Sequence, residues 1–129
     1  MRLSAPGIKR AIKFKDDPQK GRFGGKASRK GFTLSASFDA VHRTWVELTI
    51  GVVADGKAGE LVPAEKAEFF LHDSFDPAKY AVGFRGRSAR LTVSAWGGFT
   101  VGVWLPQQQL ELELDLAQLP GAPRIIRDL

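Results

Sequence analysis

The 129-residue sequence contains no cysteine, which excludes disulfide bonds, zinc–thiolate sites and cysteine nucleophiles. We therefore expect a reducing compartment and predict a cytoplasmic location. No apolar run approaches the roughly 20 residues that a membrane-spanning helix needs, so we predict no membrane association. The first residues lack the apolar stretch of a secretory signal, and we expect no export.

Sequence signatures of catalysis are also scarce. The chain has two histidines, His42 and His72, and neither has a carboxylate at a fixed metal-binding spacing. His72 and Ser74 would share a strand face, but there is no Gly-x-Ser-x-Gly motif and no phosphate loop ending in Gly-Lys-Ser/Thr. We predict that the protein is not an enzyme and uses no metal or other cofactor.

The net charge of +5 is unevenly distributed along the chain. Residues 1–31 hold ten basic residues against Asp16 and Asp17, a net charge of +8, and the remainder holds nine basic against twelve acidic residues, a net charge of −3. We divide the chain into a basic, Gly-rich, irregular amino-terminal arm over residues 1–28 and a folded domain over residues 29–129. We interpret the arm as a solvated tail, with contacts to nucleic-acid phosphates as the alternative.

From Gly31 onward apolar and polar residues alternate, as is typical of half-buried strands. The cleanest alternation is that of Leu110 to Leu116, whose acidic residues we interpret as a solvated face. Helical periodicity is hard to find. The pattern predicts seven strands, over residues 32–38, 45–52, 66–72, 80–84, 90–94, 99–105 and 110–116.

Short strands at spacings of roughly ten residues, joined by Gly and Pro turns, favour an all-β fold. We predict an immunoglobulin-like antiparallel β-sandwich. A small closed barrel is the alternative, because the pattern alone does not separate the two.

Two turn motifs are candidates for a binding site. Residues 71–75 (Leu-His-Asp-Ser-Phe) end one predicted strand, and residues 95–99 (Ala-Trp-Gly-Gly-Phe) join two others. Each places a large aromatic ring at a strand end, where a sandwich presents its binding loops. The glycines after Trp96 allow close approach of a backbone with free amide donors, which suits flat, apolar or amide-bearing ligands. Alternatively, Trp96 and Phe75 cap the open end of the core.

The order of Trp45, these two motifs and Leu112-Glu113-Leu114-Asp115-Leu116 resembles that of a YEATS domain. The Trp-Gly-Gly-Phe form is most similar to the prokaryotic branch of that family. The resemblance covers roughly residues 31–120 and implies an immunoglobulin-like sandwich, in agreement with the strand pattern. Eukaryotic members read acylated lysine, including acetyl and crotonyl forms, on histone tails.

The resemblance also implies roles for individual residues. Trp96 would stack on the planar acyl amide and donate its backbone amide to the acyl carbonyl, and Phe75 would form the facing wall. His72 and Ser74 would line the channel and orient the amide. Asp115 matches a position that in some members engages a basic residue of the peptide. Three further residues complete the expected ligand-binding set: Gly97, Gly98 and Phe99.

Two departures from well-studied acyl readers bear on the ligand. Val41 stands where those readers have an aromatic residue, so one wall of the cage is expected to be thinner, and Ala95 replaces a glycine. The resemblance implies an acylated lysine peptide or another protein as partner. One alternative is an adaptor domain without acyl binding in a bacterial signalling or conflict system. A second alternative is nucleic-acid association through the arm.

Overall fold

A computed structural model describes residues 10–128, which form two antiparallel four-stranded sheets. The strands are β1 Ser28–Arg29, β2 Phe32–Val41, β3 Val46–Ala54, β4 Lys66–Phe70, β5 Lys79–Gly83, β6 Ser88–Ala95, β7 Thr100–Leu105 and β8 Leu110–Asp115. One sheet has the strand order β1-β2-β3-β6 and the other the order β5-β4-β7-β8. No helix within residues 10–128 is both long and apolar enough to span a bilayer.

Each of the seven predicted strands is present, and the two-residue β1 is added at the edge of the first sheet. The alternating apolar side chains face inward, because burying them against the opposite sheet removes their hydrocarbon from water. In β3 this inner row is fully buried, and in β8 the leucines form the matching row. The predicted all-β sandwich is confirmed. Helical structure in residues 10–128 is limited to two short 3-10 turns, Gly56–Ala58 and Leu116–Gln118, and the four-residue α1, Arg124–Arg127.

Strand β7 is buried along its whole length, on its outer as well as its inner face. Residues 16–25, the amino-terminal strap, cover the outer face. The ring of Phe23 is completely buried there, 5.1 Å from the ring of Phe70. A Cβ atom built on Gly102, which pairs with Phe70, would collide with the Phe23 ring. Gly102 therefore makes the space into which Phe23 inserts.

One carboxylate fixes the backbone of the strap. The amide of Gly21 donates to Glu113 Oε2 at 2.9 Å, and the amides of Phe23 and Gly25 donate to Glu113 Oε1 at 2.8 and 3.2 Å. A carboxylate that accepts several backbone N–H bonds forms charge-assisted hydrogen bonds, which are the stronger kind. Glu113 is nearly buried, so the interpretation of this β8 face as solvated is wrong at Glu113.

Two further side chains dock the strap at its start. The Asp17 carboxylate accepts the amide of Thr100 at 2.8 Å and its hydroxyl at 2.7 Å. Gln19 is buried, and its Nε2 donates to the carbonyl of Leu71 at 2.9 Å. The strap is irregular in backbone, as expected of the arm, but it packs against the sheet. The interpretation as a solvated tail therefore does not hold for residues 17–23.

Part of the positive charge of the arm is paired with the body of the domain. Arg10 Nη1 lies 2.6 Å from Glu111 Oε1, and this hydrogen bond raises the pKa of the Arg10 guanidinium. Lys20 Nζ lies 3.4 Å from Asp115 Oδ2. These pairs use acidic residues from the outer face of β8, so the basic arm and the acidic strand face are complementary in charge.

The strand pairing brings three loops to one end of the sandwich. Val46 at the start of β3 pairs with Val41 and with Ala95. This register places the β2–β3 loop, residues 42–45, beside the β6–β7 loop, residues 96–99. The pairing of Phe70 with Gly102 near the start of β7 brings the β4–β5 loop, residues 71–78, to the same end. Both motifs singled out in the sequence therefore meet there.

We predict that Gly102→Ala lowers the free energy of unfolding by about 2 kcal/mol, because the added methyl displaces the buried Phe23 ring. Chemical denaturation measures the change. Gly83→Ala is the matched control, since a Cβ on that strand glycine meets no atom within 4 Å. In the Phe23→Ala background the same Gly102→Ala change should cost little. Equal costs in both backgrounds would disprove the insertion of Phe23.

We predict that Glu113→Gln loosens the strap and lowers the free energy of unfolding by about 2 kcal/mol, because an amide group replaces one of two accepting oxygens. Hydrogen exchange at the amides of Gly21 and Phe23 should accelerate. Glu60→Gln makes the same change at an exposed residue and should leave both measurements unaltered. Unchanged exchange in the Glu113 variant would contradict the assigned role of this carboxylate.

Candidate ligand-binding cleft

A cleft of about 350 Å³, here called the aromatic cleft, opens at the loop end of the sandwich. Both turn motifs contribute to it, and Asp16 completes its lining. Seven of the eight ligand-binding residues expected from the sequence lie together around this cleft: His72, Ser74, Phe75, Trp96, Gly97, Gly98 and Phe99.

The two aromatic motif residues differ in burial. Trp96 is 66% exposed, so its ring does not cap the core. Phe75 is half-buried and packs against the buried Phe99, with ring centroids 5.1 Å apart and planes inclined by 57°. A guest in the cleft would therefore contact a supported phenyl wall on one side and an accessible indole on the other.

Hydrogen bonds fix the position of His72. Its Nε2 lies 2.9 Å from the carbonyl oxygen of Asp16, which can only accept, so Nε2 carries a proton. Nδ1 accepts the amide of Ser74 at 3.0 Å and lies 2.9 Å from the Ser74 hydroxyl. This pattern defines the neutral Nε2–H tautomer. The imidazole is thus clamped between the β4–β5 loop and the strap.

The same bonds distinguish this pair from an activated nucleophile. The Nδ1 lone pair is already directed at two groups of Ser74, and the group facing Nε2 is a backbone carbonyl rather than a carboxylate. In the serine triad a carboxylate orients the histidine that serves as base. The geometry makes His72 and Ser74 a rigid polar wall of the cleft.

Asp16 is not among the site residues predicted from the sequence, because it belongs to the basic arm, outside the predicted folded domain. The docked strap carries Asp16 to the cleft, where its carbonyl holds His72. The local feature that could have indicated a separate role for Asp16 is the sequence Asp16-Asp17-Pro18, which interrupts the basic residues of the arm.

The β6–β7 loop residues that line the cleft have backbone amides without a partner among residues 10–128. Within residues 10–128, no hydrogen bond uses the amide hydrogens of Trp96, Gly97 or Gly98. The glycine at position 98 also has a packing role, because a Cβ there would collide with the carbonyl oxygen of Ile126 in α1. The loop therefore runs close against the carboxy-terminal turn while its amides stay available.

Asp115, the eighth expected site residue, lies outside the aromatic cleft. Its Oδ1 accepts the amide of Ala117 at 3.1 Å and caps the 3-10 turn Leu116–Gln118. Its Oδ2 faces Lys20. The carboxylate is thus engaged in local structure and in an ion pair with the strap.

The β2–β3 loop lies at the same end but does not line the cleft. The rings of His42 and Trp45 stack with centroids 3.9 Å apart and planes inclined by 21°. Val41, which stands where acyl readers have an aromatic residue, is 58% exposed. In the described part of the chain, no group of three or more His, Cys, Asp or Glu side chains is arranged to hold a metal ion.

Comparison with known proteins gives one match. The sequence model of the prokaryotic YEATS domain matches residues 46–117, which are 72 of the 129 residues and include both motifs of the cleft. No curated protein and no solved structure matches the chain. YEATS domains are reader modules and are generally non-catalytic. The resemblance found in the residue motifs is confirmed at the level of the family, and the chain belongs to the prokaryotic YEATS domain family.

Proposed function

We propose that this protein is a non-enzymatic recognition module that binds an acylated lysine, or a similar planar amide-bearing group, in the aromatic cleft. The observation that carries the proposal is an exposed Trp96 bordering an open cleft whose other wall is Phe75. A volume of about 350 Å³ lies at the small end of the roughly 300–1,000 Å³ typical of ligand pockets. It suits a single side chain rather than a large cofactor.

The chemistry of the cleft favours a neutral, flat guest. Acylation removes the positive charge of lysine and leaves a planar amide dipole. Such a group can place its faces against Trp96 and Phe75 and still satisfy its polar atoms. An unmodified lysine would lose hydration among the aromatic rings, and Asp16 is the one lining residue whose carboxylate could offset part of that loss.

Backbone donors and the clamped histidine give the cleft its polar specificity. The amides of Trp96, Gly97 and Gly98 are the donors we assign to the acyl carbonyl. The imidazole of His72 is held by Asp16 and Ser74 and does not need to reorganise when the guest enters. Preorganised walls lower the entropy cost of binding.

The adaptor and nucleic-acid alternatives have less support. The sequence suggested phosphate contacts through the arm, but Arg10 and Lys20 are paired with Glu111 and Asp115. An adaptor role without acyl binding would leave the open cleft without a function. We therefore favour acyl-lysine recognition, within a larger bacterial signalling or conflict system.

We predict that Trp96→Ala weakens binding to acyl-lysine peptides by roughly 30-fold or more, which corresponds to about 2 kcal/mol for loss of an aromatic anchor. Calorimetric titration with acetyl, crotonyl and unmodified versions of one peptide measures the effect. Thermal stability should change little, because the Trp96 side chain is mostly exposed.

Trp45→Ala is the matched control, since this tryptophan lies at the same end of the sandwich but outside the cleft. It should retain affinity within about twofold, the range typical of a residue outside the contact. A wild-type protein that binds acylated and unmodified peptides equally would refute the proposal. A protein partner that is still captured by the Trp96→Ala variant would favour the adaptor alternative.

A further inference from the structure

A second and larger cleft adjoins the aromatic cleft. It measures about 740 Å³, and the two clefts share Asp16, Gly98 and Phe99 in their walls. Its floor and sides come from the arm on one side and from the region after β8 on the other. A chain that leaves the aromatic cleft past Gly98 would therefore enter this second cleft directly.

Basic side chains outnumber acidic ones in the lining of the second cleft. Four basic side chains line it, Lys13, Lys15, Lys20 and Arg127, against Asp16, Asp17 and Asp115. Asp115 is paired with Lys20, and the Asp17 carboxylate accepts the two donors of Thr100. By contrast, Lys13, Lys15 and Arg127 form no ion pair with any other residue in the range 10–128. We call this region the cationic cleft.

We propose that the cationic cleft binds acidic side chains that flank the acylated lysine, so that the preferred ligand is an acyl-lysine within an acidic peptide. This inference rests on the proposed function of the aromatic cleft and specifies its substrate class. Complementary charge at the edge of a binding site contributes to specificity and to the rate of association.

The ion pair of Asp115 with Lys20 supports a preference for acidic over basic peptides. The family resemblance implied that this position engages a basic residue of the peptide. Here its carboxylate is neutralised by Lys20, whose ammonium also lies 5.7 Å from the ring centre of Phe14. Lys20 therefore pairs with the carboxylate that would attract a basic residue of the peptide. A basic peptide would also be repelled by Lys15 and Arg127.

A peptide explains the lining of the cationic cleft better than a nucleic acid does. Carboxylates stand among the basic groups, so the lining offers separate cations to individual side chains rather than the continuous cationic path that follows a phosphate backbone. The half-exposed ring of Phe14 offers an apolar surface for the hydrocarbon parts of peptide side chains. The continuity with the aromatic cleft ties this surface to the acyl-lysine ligand.

The test uses three acetyl-lysine peptides of equal length with Asp/Glu, Asn/Gln or Lys/Arg on both sides of the modified lysine. We expect the acidic peptide to bind about tenfold more tightly than the neutral one at low salt, with the basic peptide weakest. Raising the salt concentration should reduce the difference, because salt screens exposed charges.

Charge-reversal variants test whether residues of the cationic cleft cause the preference for the acidic peptide. Lys15→Glu and Arg127→Glu should each weaken the acidic peptide about five- to tenfold and leave the neutral peptide unchanged. Lys57→Glu carries the same charge change in the 3-10 turn at the opposite end and should have no effect. Retention of the full acidic preference in both cleft variants would overturn the proposal.

The outcomes also separate this inference from the proposed function. If no acetylated peptide is distinguished from its unmodified form, but the acidic peptide still binds and is lost on Lys15→Glu, then the aromatic cleft assignment fails and the cationic cleft stands. If acetylated peptides bind equally well whatever residues flank the modified lysine, then the aromatic cleft assignment stands and the cationic cleft proposal fails. Tighter binding of a single-stranded oligonucleotide than of the acidic peptide, lost in the same variants, would replace the peptide with nucleic acid.

Discussion

Three backbone amides converge on a single carboxylate, that of Glu113, and this interaction holds the amino-terminal strap on the outer face of the second sheet. The strap contains no helix or strand, and turn hydrogen bonds together with Gln19 and Asp17 give it further support. Once it is fixed, Phe23 fills the gap above Gly102 and Asp17 binds Thr100. The docking of the strap therefore depends on a polar contact between segments about ninety residues apart in sequence.

The docked strap also completes the binding site. It brings the Asp16 carbonyl to His72, which sets the tautomer and orientation of the imidazole, and Asp16 lies in the wall that the aromatic cleft shares with the cationic cleft. In the proposed function the guest would be received by loops whose flanking strands are paired, so the candidate site combines accessible groups with a supporting scaffold. The exposed ring of Trp96 is accessible to such a guest.

Much of the fold could be predicted from the sequence because the strands alternate with a period of two, and the leucine row of β8 is the clearest case. The cleft residues could be found as well, since both motifs stand at strand ends that the pairing brings together. The docking of the strap could not be predicted. Phe23 is an isolated apolar residue in a charged segment, and the acidic face of β8 looked suited to water. Gly102 was the one indication of the docked strap, since a glycine inside a strand often marks the close approach of another group.

The central claim is that a flat amide enters the cleft beside Trp96 and meets the free amides of the β6–β7 loop. The most direct measurement is two-dimensional NMR of the nitrogen-15-labelled protein during titration with a short acetyl-lysine peptide, with its unmodified form as reference. The account predicts the largest shifts at the Trp96 indole N–H and at the backbone amides of Gly97 and Gly98, with none from the unmodified peptide. Shifts confined to other parts of the sandwich, or identical for both peptides, would contradict it.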